Sequence, residues 1–395
     1  MRILILNTDY SQFLRAFYTE NPGLADASYA RQMELRNQTL FGSVDFYSRN
    51  FRAHGHEAEE VHVNNRWIQY AWAREHGLAM EPPPAPDGGN GDAAPSLKSR
   101  LKPLLRPVLR PLIKPFRRYR LPDWEARVLA AQVEAFNPDV ILNQEISYID
   151  NRTLRSFKAR GIAILGQLAS PLGEDEEYDS YDLVISSLPN LVAYFRARGV
   201  AAEFNRLAFE PYVLDAMGPQ PPRDIELSFV GSLSPVHARR IAMLEFIARR
   251  APLKVWGNQV ERLDPSSPLH ACYQGEAWGR DMFDVMRRSR ITLNRHIDMA
   301  EDWANNMRLY EATGMGAMLL TDAKRNLAEI FKPGLEVATY TSDEDCVAQI
   351  HRYLADEPAR AAIAAAGQRQ AIQSQTYFDR TGEIIELIRR YGLVK

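Results

Sequence analysis

The stretch NNMRLYEATGMGAMLLTD, residues 305–322, combines a short amphipathic segment, two glycines and an apolar run. Asn305 or Asn306 can cap the start of a helix, because an asparagine side chain accepts a hydrogen bond from a free N–H of the first turn. Gly314 or Gly316 can end that helix before a strand begins. The stretch therefore predicts a short helix that packs closely against a strand of a sheet.

Apolar runs of the same kind recur along the chain, separated by helical patterns. In the first half they are Ile3–Leu6, 61–63, Val140–Leu142, Ile162–Leu165 and Leu183–Ile185. In the second half they are Leu227–Val230, Leu253–Val255, Ile291–Leu293, Ala317–Leu320 and Val337–Thr339. Continuous apolar runs suit strands covered on both faces, and their alternation with helices is typical of parallel sheets in α/β proteins.

The two series of strands are separated by a Pro-rich polar segment at 218–224. Segments of this composition are common between domains. We therefore expect two α/β domains, 1–217 and 222–375. A helical tail at 376–395 then either closes the second domain or crosses back onto the first.

The composition narrows the class of function. The 48 Lys and Arg residues nearly balance the 50 Asp and Glu residues, so no global field would recruit nucleic acid. Two cysteines, Cys272 and Cys346, cannot build a disulfide framework. The eight histidines show no metal-ligand spacing, so we expect neither a metal site nor a cofactor.

An insertion at about 81–120 differs from the alternating pattern. It begins Pro- and Gly-rich, and 96–120 then carries nine basic residues and no acidic one. Such a basic and apolar segment is typical of contact with an anionic membrane surface. The alternative is a surface insertion whose leucines pack on the first domain.

Targeting segments are not evident. The first apolar run, Ile3–Leu6, is shorter than the roughly 7–15 apolar residues of a secretory signal. No run reaches the roughly 18 apolar residues that a membrane-spanning helix needs. We therefore expect a cytoplasmic protein, with peripheral contact to the inner face of the membrane as a further hypothesis.

The predicted helix at Asn306 follows strand Ile291–Leu293 and a polar loop. Loops at the carboxyl ends of parallel strands are where open α/β sheets bind ligands. Arg308 and Glu311 lie three residues apart and share one face of the helix. They form either a surface ion pair or a binding pair, in which Glu311 accepts hydrogen bonds from vicinal hydroxyls and Arg308 meets phosphate.

A second stretch, LSFVGSLSPVHARR at 227–240, reads as a strand, a Gly/Ser turn and a helix. Backbone amides of such a turn, here at Gly231 and Ser232, can approach a diphosphate. The stretch contains neither the GxGxxG pattern of Rossmann dinucleotide-binding sites nor the P-loop pattern. It therefore predicts neither Rossmann dinucleotide binding nor ATP hydrolysis of the P-loop kind. Arg240 is either a phosphate partner or part of an exposed helix face.

Four segments resemble a known family in their order and spacing. They are YDLVISSLPNLVAYFRARGV, LSFVGSLSPVHARR, MRLYEATGMGAMLLTDAKRNLAEIFKPGLEVATY and AGQRQAIQSQTYFDR. Over about 180–380 they are similar to bacterial glycosyltransferases of GT-B architecture that are grouped with spore-maturation and spore-coat proteins. The resemblance implies two Rossmann-like, doubly wound domains that face a central cleft. It also implies metal-independent transfer of a sugar from a nucleotide diphosphate sugar to a saccharide, glycolipid or protein acceptor.

The residues and the resemblance together predict a donor site in the second domain. Its predicted members are Gly231, Ser232, Arg240, Tyr273, Gly275, Asn306, Arg308 and Glu311. On the resemblance, Glu311 binds the ribose, the turn at Gly231 binds the diphosphate, and the backbone from Tyr273 to Gly275 borders the base.

One position departs from the pattern of the larger retaining GT-B families. They carry a second acidic residue eight positions before the glutamate, where this chain has Trp303. That role is either absent or displaced to Glu301 or Asp302, so the stereochemical outcome stays open. An epimerase that binds the same donors and a catalytically inactive nucleotide-sugar-binding scaffold are the alternative functions.

A catalytic base, if the enzyme inverts, is expected from the first domain. Asp9 in NTDYSQF directly follows the first strand, and Glu145 in LNQEISY follows another. Both would therefore lie at the carboxyl edge of the sheet, where a base could reach an acceptor hydroxyl. The alternative for each is a cap or loop residue.

Overall fold

The structure is a computed structural model that describes residues 1–84, 121–170, 172, 178–234 and 237–394. The basic segment at 96–120, with its predicted membrane contact, lies outside the described residues. Within them, none of the helices is long and apolar enough to cross a membrane.

The first half forms a parallel sheet of six strands. They are β1 (Arg2–Asn7), β2 (Glu57–His62), β3 (Val140–Asn143), β4 (Ala163–Gln167), β5 (Leu183–Ser186) and β6 (Ala202–Phe204). The helices of this half are α1 (Ser11–Glu20), α2 (Tyr29–Gln38), α3 (Phe46–Ala53), α4 (Arg66–Glu75), α5 (Asp123–Phe136), α6 (Asn151–Lys158) and α7 (Pro189–Arg196). The sequence did not predict β6, because only Ala202 of its three residues is buried and no apolar run marks it.

The second half forms a parallel sheet of five strands. They are β7 (Ile225–Val230), β8 (Leu253–Trp256), β9 (Ser289–Asn294), β10 (Met318–Asp322) and β11 (Ala338–Tyr340). The helices that follow the first half are α8 (Tyr212–Met217), α9 (Ala238–Ala248), α10 (Leu269–Cys272), α11 (Arg280–Arg288), α12 (Met307–Gly314), α13 (Asp343–Ala355), α14 (Glu357–Ser374) and α15 (Tyr377–Arg390). The predicted α/β class, with two parallel sheets, is confirmed.

Both sheets reverse their strand order at one point. The first sheet has the order β2-β1-β3-β4-β5-β6, and the second has β8-β7-β9-β10-β11. In each, the chain moves to one side after its first strand and then returns to the other side. Ligands of doubly wound sheets bind at the carboxyl ends of the strands beside this switch point. Ligand sites are therefore expected at the ends of β1 and β3, and at the ends of β7 and β9.

The chain returns to the first half at its end. The Phe209 N–H donates to the Gln375 carbonyl at 2.8 Å, and the Tyr377 N–H donates to the Phe209 carbonyl at 3.1 Å. The Tyr377 ring, at the start of α15, then lies 5.2 Å from Phe46 and 5.0 Å from Tyr47 on α3. Helix α15 therefore packs on the first half.

Glycine at 314 permits the close packing of α12 that the opening stretch predicts. A Cβ at Gly314 would lie 2.5 Å from the Phe209 ring. The helix ends at this glycine, and Gly316 takes a positive φ of 73° before β10 begins. The two glycines thus serve two purposes, since one admits a neighbouring ring and the other turns the chain.

A buried carboxyl group links β2 to β1 and α3. Glu60 accepts hydrogen bonds from the Asn7 side chain and, at 3.0 Å, from the Ser48 N–H. Burial raises the pKa of Glu60 from 4.5 to about 8, although both hydrogen bonds act in the opposite direction. In the folded protein this carboxyl group is therefore protonated near neutral pH.

Glu60 should make the protein less stable as pH rises. Below pH 4.5 the group is protonated in both states; between 4.5 and about 8 only the unfolded chain ionises, so the free energy of unfolding falls. The loss from this group is at most about 5 kcal/mol, because the pKa rises by about 3.5 and one pKa unit corresponds to roughly 1.4 kcal/mol. Glu60→Gln should remove this part of the slope in unfolding measured between pH 5 and 8.

The matched control for Glu60→Gln is Glu125→Gln. Burial raises the pKa of Glu125 only to about 6, so its substitution should change the pH dependence at the acidic end alone. Parallel stability curves for wild type and Glu60→Gln between pH 6 and 8 would show that Glu60 is ionised in the folded protein.

Candidate functional site

A cavity of about 570 Å³ lies between the two sheets; it is called the large cavity below. Its volume falls in the range of roughly 300–1,000 Å³ that is usual for small-molecule sites. The second half contributes the ends of β7 and β9 and the start of α12, and the first half contributes Tyr10, Phe41 and Gly42. The large cavity therefore covers the switch point of the second sheet.

Asn306 caps the helix that opens onto the large cavity. Its Oδ1 accepts a hydrogen bond from the Leu309 N–H at 3.2 Å, and its Nδ2 donates to Oδ1 of Asn294 at 2.7 Å. Of the two predicted caps, the structure thus uses Asn306, which ties the start of α12 to the end of β9. The free N–H groups of a helix start carry partial positive charge and favour anions.

Arg308 and Glu311 form a partly buried ion pair in the wall of the large cavity. Arg308 Nη1 donates to Glu311 Oε2, and Arg308 Nε donates to the Val230 carbonyl at 2.9 Å. The exposed fractions of the two side chains are 22% and 8%. The two residues therefore do not form an exposed surface pair. The Val230 carbonyl at the end of β7 and the Glu311 carboxylate together hold the Arg308 guanidinium in place.

Three arginines line the large cavity: Arg240, Arg295 and Arg308. Arg295 Nη1 also lies 3.6 Å from Asp343 Oδ1. Burial, then the positive charges of Arg295 and Arg308, lowers the pKa of Arg240. Arg240 Nε is buried and has no hydrogen-bond partner in the described part of the chain. Arginines that are partly buried close together repel one another, and only Arg295 and Arg308 have acidic partners among the described residues, so the cluster favours an anion as occupant.

The sequence predictions missed Arg295. It directly follows β9, at the carboxyl edge where Asp9 and Glu145 were sought in the first half. The same rule of strand ends would have found it. Its contact with Arg240, whose Nη2 donates to the Arg295 carbonyl at 3.4 Å, depends on the tertiary fold.

Gly231 and Gly257 bring two backbones together at the wall of the large cavity. The Gly231 N–H donates to the Trp256 carbonyl at 3.0 Å, and a Cβ at Gly257 would lie 2.0 Å from the Gly231 carbonyl oxygen. Only glycine fits at 257. The side chain of Ser232 turns back, since its Oγ accepts a hydrogen bond from the Ser234 N–H at 3.2 Å.

Tyr273 and Gly275 lie behind this wall. The Tyr273 hydroxyl donates to the Gly257 carbonyl at 2.9 Å, and the Gly257 N–H donates to the Gly275 carbonyl at 3.1 Å. The residues that line the large cavity here are Gln259 and Glu276. Tyr273 and Gly275 thus support Gly257, and their neighbours Gln259 and Glu276 form the surface, while their place beside the base stays a prediction.

Trp303 occupies the position at which the larger retaining families carry an acid. Its ring packs against the apolar core of the first half, and the guanidinium of Arg325 lies 5.3 Å from the ring. Glu301 and Asp302 are exposed and do not line the large cavity. Neither the Glu301 nor the Asp302 carboxylate therefore takes the place of the missing acid.

A second cavity, of about 170 Å³, lies at the switch point of the first sheet and is called the small cavity below. It is lined by the ends of β1 and β3, with Asp9 and Glu145, and by residues 41–44. Tyr10, Phe41 and Gly42 line both cavities, which are therefore adjacent.

Asp9 and Glu145 differ sharply within the small cavity. The Asp9 side chain is fully buried, and its Oδ1 accepts hydrogen bonds from Arg36 at 2.6 and 3.1 Å. Burial alone would raise the pKa of Asp9, but Arg36 and His62 hold it well below its ordinary value. Asp9 is therefore a weak base with no accessible oxygen. Its burial and its pairing with Arg36 favour a positioning role over that of the base, and half-buried Glu145 is the better placed of the two predicted bases.

An aromatic group joins the two halves where the cavities meet. The Phe41 ring lies 5.9 Å from Tyr10 and 5.1 Å from Trp278 of the second half. Next to this contact, the Arg280 N–H donates to the Thr39 carbonyl at 2.9 Å. Tyr10 is 66% exposed, so an apolar face remains open to a ligand.

The second half of the chain matches a known protein family. Residues 239–386 match the family described as glycosyl transferase-like. No curated protein sequence matches the chain significantly.

Solved structures share the fold over nearly the whole chain. AviGT4, a glycosyltransferase involved in avilamycin A biosynthesis, is 15% identical with a TM-score of 0.56, and 99% of this chain and 98% of that chain are covered. HepE of Anabaena in complex with UDP-glucose is 13% identical, with a TM-score of 0.55 and coverage of 99% and 100%. A glycosyltransferase from Rickettsia africae is 9% identical, with a TM-score of 0.56 and coverage of 99% and 98%. At these identities the similarity shows the fold, so the predicted GT-B architecture is confirmed.

Proposed function

We propose that this chain is a glycosyltransferase that moves a sugar from a nucleotide diphosphate sugar to a hydroxyl group of a saccharide, glycolipid or protein. The observation that carries this function is the cluster of Arg240, Arg295 and Arg308 in the large cavity, within the half that matches the glycosyl transferase-like family. Arginines around one cavity suit a diphosphate, because a guanidinium pairs with phosphate oxygens through two hydrogen bonds.

The donor occupies the large cavity. Its diphosphate lies between the three arginines and the backbone turn at Gly231, where the start of α12 adds partial positive charge. The ribose hydroxyls donate to Glu311, which Arg308 holds in place. The structure of HepE contains UDP-glucose, which supports a uridine nucleotide as the first donor to test.

The transfer step moves the sugar across the boundary between the two cavities. The bond between the anomeric carbon and the diphosphate oxygen breaks, and the nucleoside diphosphate leaves with the electron pair. A bond forms between that carbon and the acceptor oxygen, whose proton passes to Glu145. The arginines stabilise the charge that develops on the leaving group, which is commonly the largest electrostatic contribution to catalysis.

We also propose the following more specific properties. The protein needs no metal, it belongs with the spore-maturation and spore-coat glycosyltransferases, and it transfers a hexose in the cytoplasm or at the membrane surface. Among the described residues no group of three or more His, Cys, Asp or Glu side chains could hold a metal ion. Donor binding in the presence of EDTA tests the first of these points.

The first experiment is a thermal-shift screen against UDP, GDP, dTDP, CMP and their common sugars. A ligand at one hundred times its dissociation constant should stabilise the fold by about 2.7 kcal/mol. We expect one nucleoside diphosphate to bind far more tightly than its nucleoside. The absence of any shift from the whole panel at millimolar concentration would contradict the proposed function.

Arg240→Gln should weaken binding of that nucleoside diphosphate about tenfold or more, because a charge-assisted hydrogen bond contributes roughly 1.5–3 kcal/mol. Binding of the free nucleoside should change little. The matched control is Arg239→Gln, since Arg239 is the preceding residue, is 76% exposed and does not line the large cavity. Equal effects of the two substitutions in titration calorimetry would show that Arg240 does not bind the phosphate.

A further inference from the structure

The large cavity has walls of opposite charge. The basic wall lies at the ends of β7 and β9, where Arg295 follows β9 and Arg308 Nε donates to the last carbonyl of β7 at 2.9 Å. An acidic wall lies beside the end of β8, because the Gly257 N–H donates to the Gly275 carbonyl at 3.1 Å and the next residue, Glu276, lines the cavity. In the strand order β8-β7-β9, the two walls lie on opposite sides of β7.

This separation of charge sets the direction of a bound nucleotide. The diphosphate lies at the basic wall and is repelled by the carboxylate of Glu276, so an uncharged part of the donor lies at the acidic wall. Helix α11 packs on α12, which carries Glu311 for the ribose, and α11 adds Met282 to the cavity. Glu276 lies just before the start of α11. From the ribose, the base therefore extends along α11 towards Glu276.

The carboxylate of Glu276 is held in place before a ligand binds. Its Oε2 accepts a hydrogen bond from Trp278 Nε1 at 2.7 Å. The Trp278 ring is itself fixed by the first half, since it lies 5.1 Å from the Phe41 ring. An ionised carboxylate can accept about four hydrogen bonds, so this exposed group keeps lone pairs on both oxygens for a ligand.

An ionised carboxylate only accepts hydrogen bonds, so it distinguishes bases by the donors on their edges. Guanine presents N1–H and the N2 amino group side by side, and these pair with both carboxylate oxygens as the fork of an arginine does. Uracil and thymine present one N–H between two carbonyl oxygens, which the carboxylate repels. Adenine and cytosine place an amino group beside an unprotonated ring nitrogen. Guanine is therefore the base that fits a carboxylate.

We infer that Glu276 selects guanine as the base of the donor, which is then a sugar carried by GDP. The inference rests on the proposed function and names the nucleotide of that function. Ala277 and Met282 line the cavity with Glu276 and offer an apolar surface to the flat face of the base. The donor in the HepE structure is a uridine nucleotide, but an identity of 13% shows the fold alone and does not fix the base for this chain.

The test compares GDP, UDP and inosine diphosphate by titration calorimetry with the full chain. Inosine diphosphate is the sharpest probe, because it differs from GDP only by the missing N2 amino group. We expect GDP to bind about tenfold or more tightly than either of the others, since the loss of a hydrogen bond to a charged group costs about that factor.

Glu276→Gln should weaken GDP binding about tenfold or more and remove the difference between GDP and inosine diphosphate. Glutamine keeps the shape of the side chain, but its NH₂ group would face the N–H groups of guanine. Binding of UDP should change little. The side chain is exposed, so the substitution should leave the melting temperature near that of the wild type.

The matched control is Glu261→Gln. Burial, then the negative charges of Glu276 and Glu261, raises the pKa of Tyr273, so both carboxylates lie near the same ring. Glu261 is also exposed, but it does not line the large cavity. Its substitution should leave the affinities for all three nucleotides unchanged.

Three results would overturn the selection of guanine: UDP binds as tightly as GDP, inosine diphosphate binds as tightly as GDP, or Glu276→Gln keeps the preference of the wild type. A variant that binds GDP normally and loses affinity only for the complete nucleotide sugar would assign the carboxylate to the sugar, which also contradicts the inference. Tight binding of UDP would leave the proposed transferase function standing. The failure of every nucleoside diphosphate to bind would contradict both.

Discussion

Glu311→Ala is expected to weaken binding of the nucleoside diphosphate about a hundredfold or more and to reduce transfer accordingly. Its carboxylate is 8% exposed and lies in the wall of the large cavity. Two hydrogen bonds from ribose hydroxyls to a charged group contribute about 3 kcal/mol together at the least, and each 1.4 kcal/mol is about tenfold in affinity. The substitution also removes the acidic partner of Arg308, which leaves a partly buried guanidinium beside the donor.

The matched control for Glu311→Ala is Glu383→Ala. Glu383 pairs with Arg380 at 2.9 Å in the same order and with the same spacing along a helix, and it lines neither cavity. Its loss should lower stability and leave the affinity for nucleotide unchanged. Calorimetry of both variants separates the two effects. A dissociation constant for Glu311→Ala within threefold of the wild type would exclude Glu311 from the donor site.

Glu145→Gln should lower the rate of transfer by about a hundredfold to ten-thousandfold while the affinity for nucleotide stays the same, because a positioned base contributes roughly that factor. Glutamine keeps the volume of the side chain and cannot take a proton. The measurement is single-turnover release of the nucleoside diphosphate with a methyl glycoside as acceptor. A loss of rate of this size would identify Glu145, and not Asp9, as the base. The Asp9 carboxylate is hydrogen-bonded to Arg36.

Glu125→Gln is the control for Glu145→Gln. Glu125 is a buried carboxyl group of the first half that accepts a hydrogen bond from Tyr148 at 2.7 Å, and it lines neither cavity. Its substitution should leave the transfer rate unchanged. A Glu145→Gln enzyme that keeps more than a tenth of the wild-type rate would show that the acceptor proton goes elsewhere, as in a retaining reaction in which a phosphate oxygen receives it.

Local features of the chain were read correctly from the sequence. Most of the apolar runs became buried strands, because apolar residues in succession are stabilised only when both faces of the strand are covered. The run at 61–63 marked only the end of β2, whose first residues alternate between exposed and buried. Asn306 caps α12 and Gly314 ends it, since capping depends on residues only a few positions apart. Residues at strand ends were the correct places to look, because parallel strands all end at one edge.

Charge and proton chemistry depended on contacts between distant residues. Arg36 and His62 are 27 and 53 positions from Asp9, and only the fold shows that they occupy its carboxylate. No local pattern of Asp9 distinguishes a locked carboxylate from an available base. The same limit applies to Arg240, which becomes part of an anion site only when β9 brings Arg295 beside it.

The sequence by itself thus determined the α/β class, the two parallel sheets and the helix that carries Glu311, since periodicity and caps act over a few residues. Tertiary structure alone decided the strand order, and with it the two switch points at which the cavities form. It also decided which charged side chains are buried in pairs and which face a cavity. The reason is physical: desolvation and charge pairing depend on neighbours in space, and those neighbours come from positions far apart in the chain.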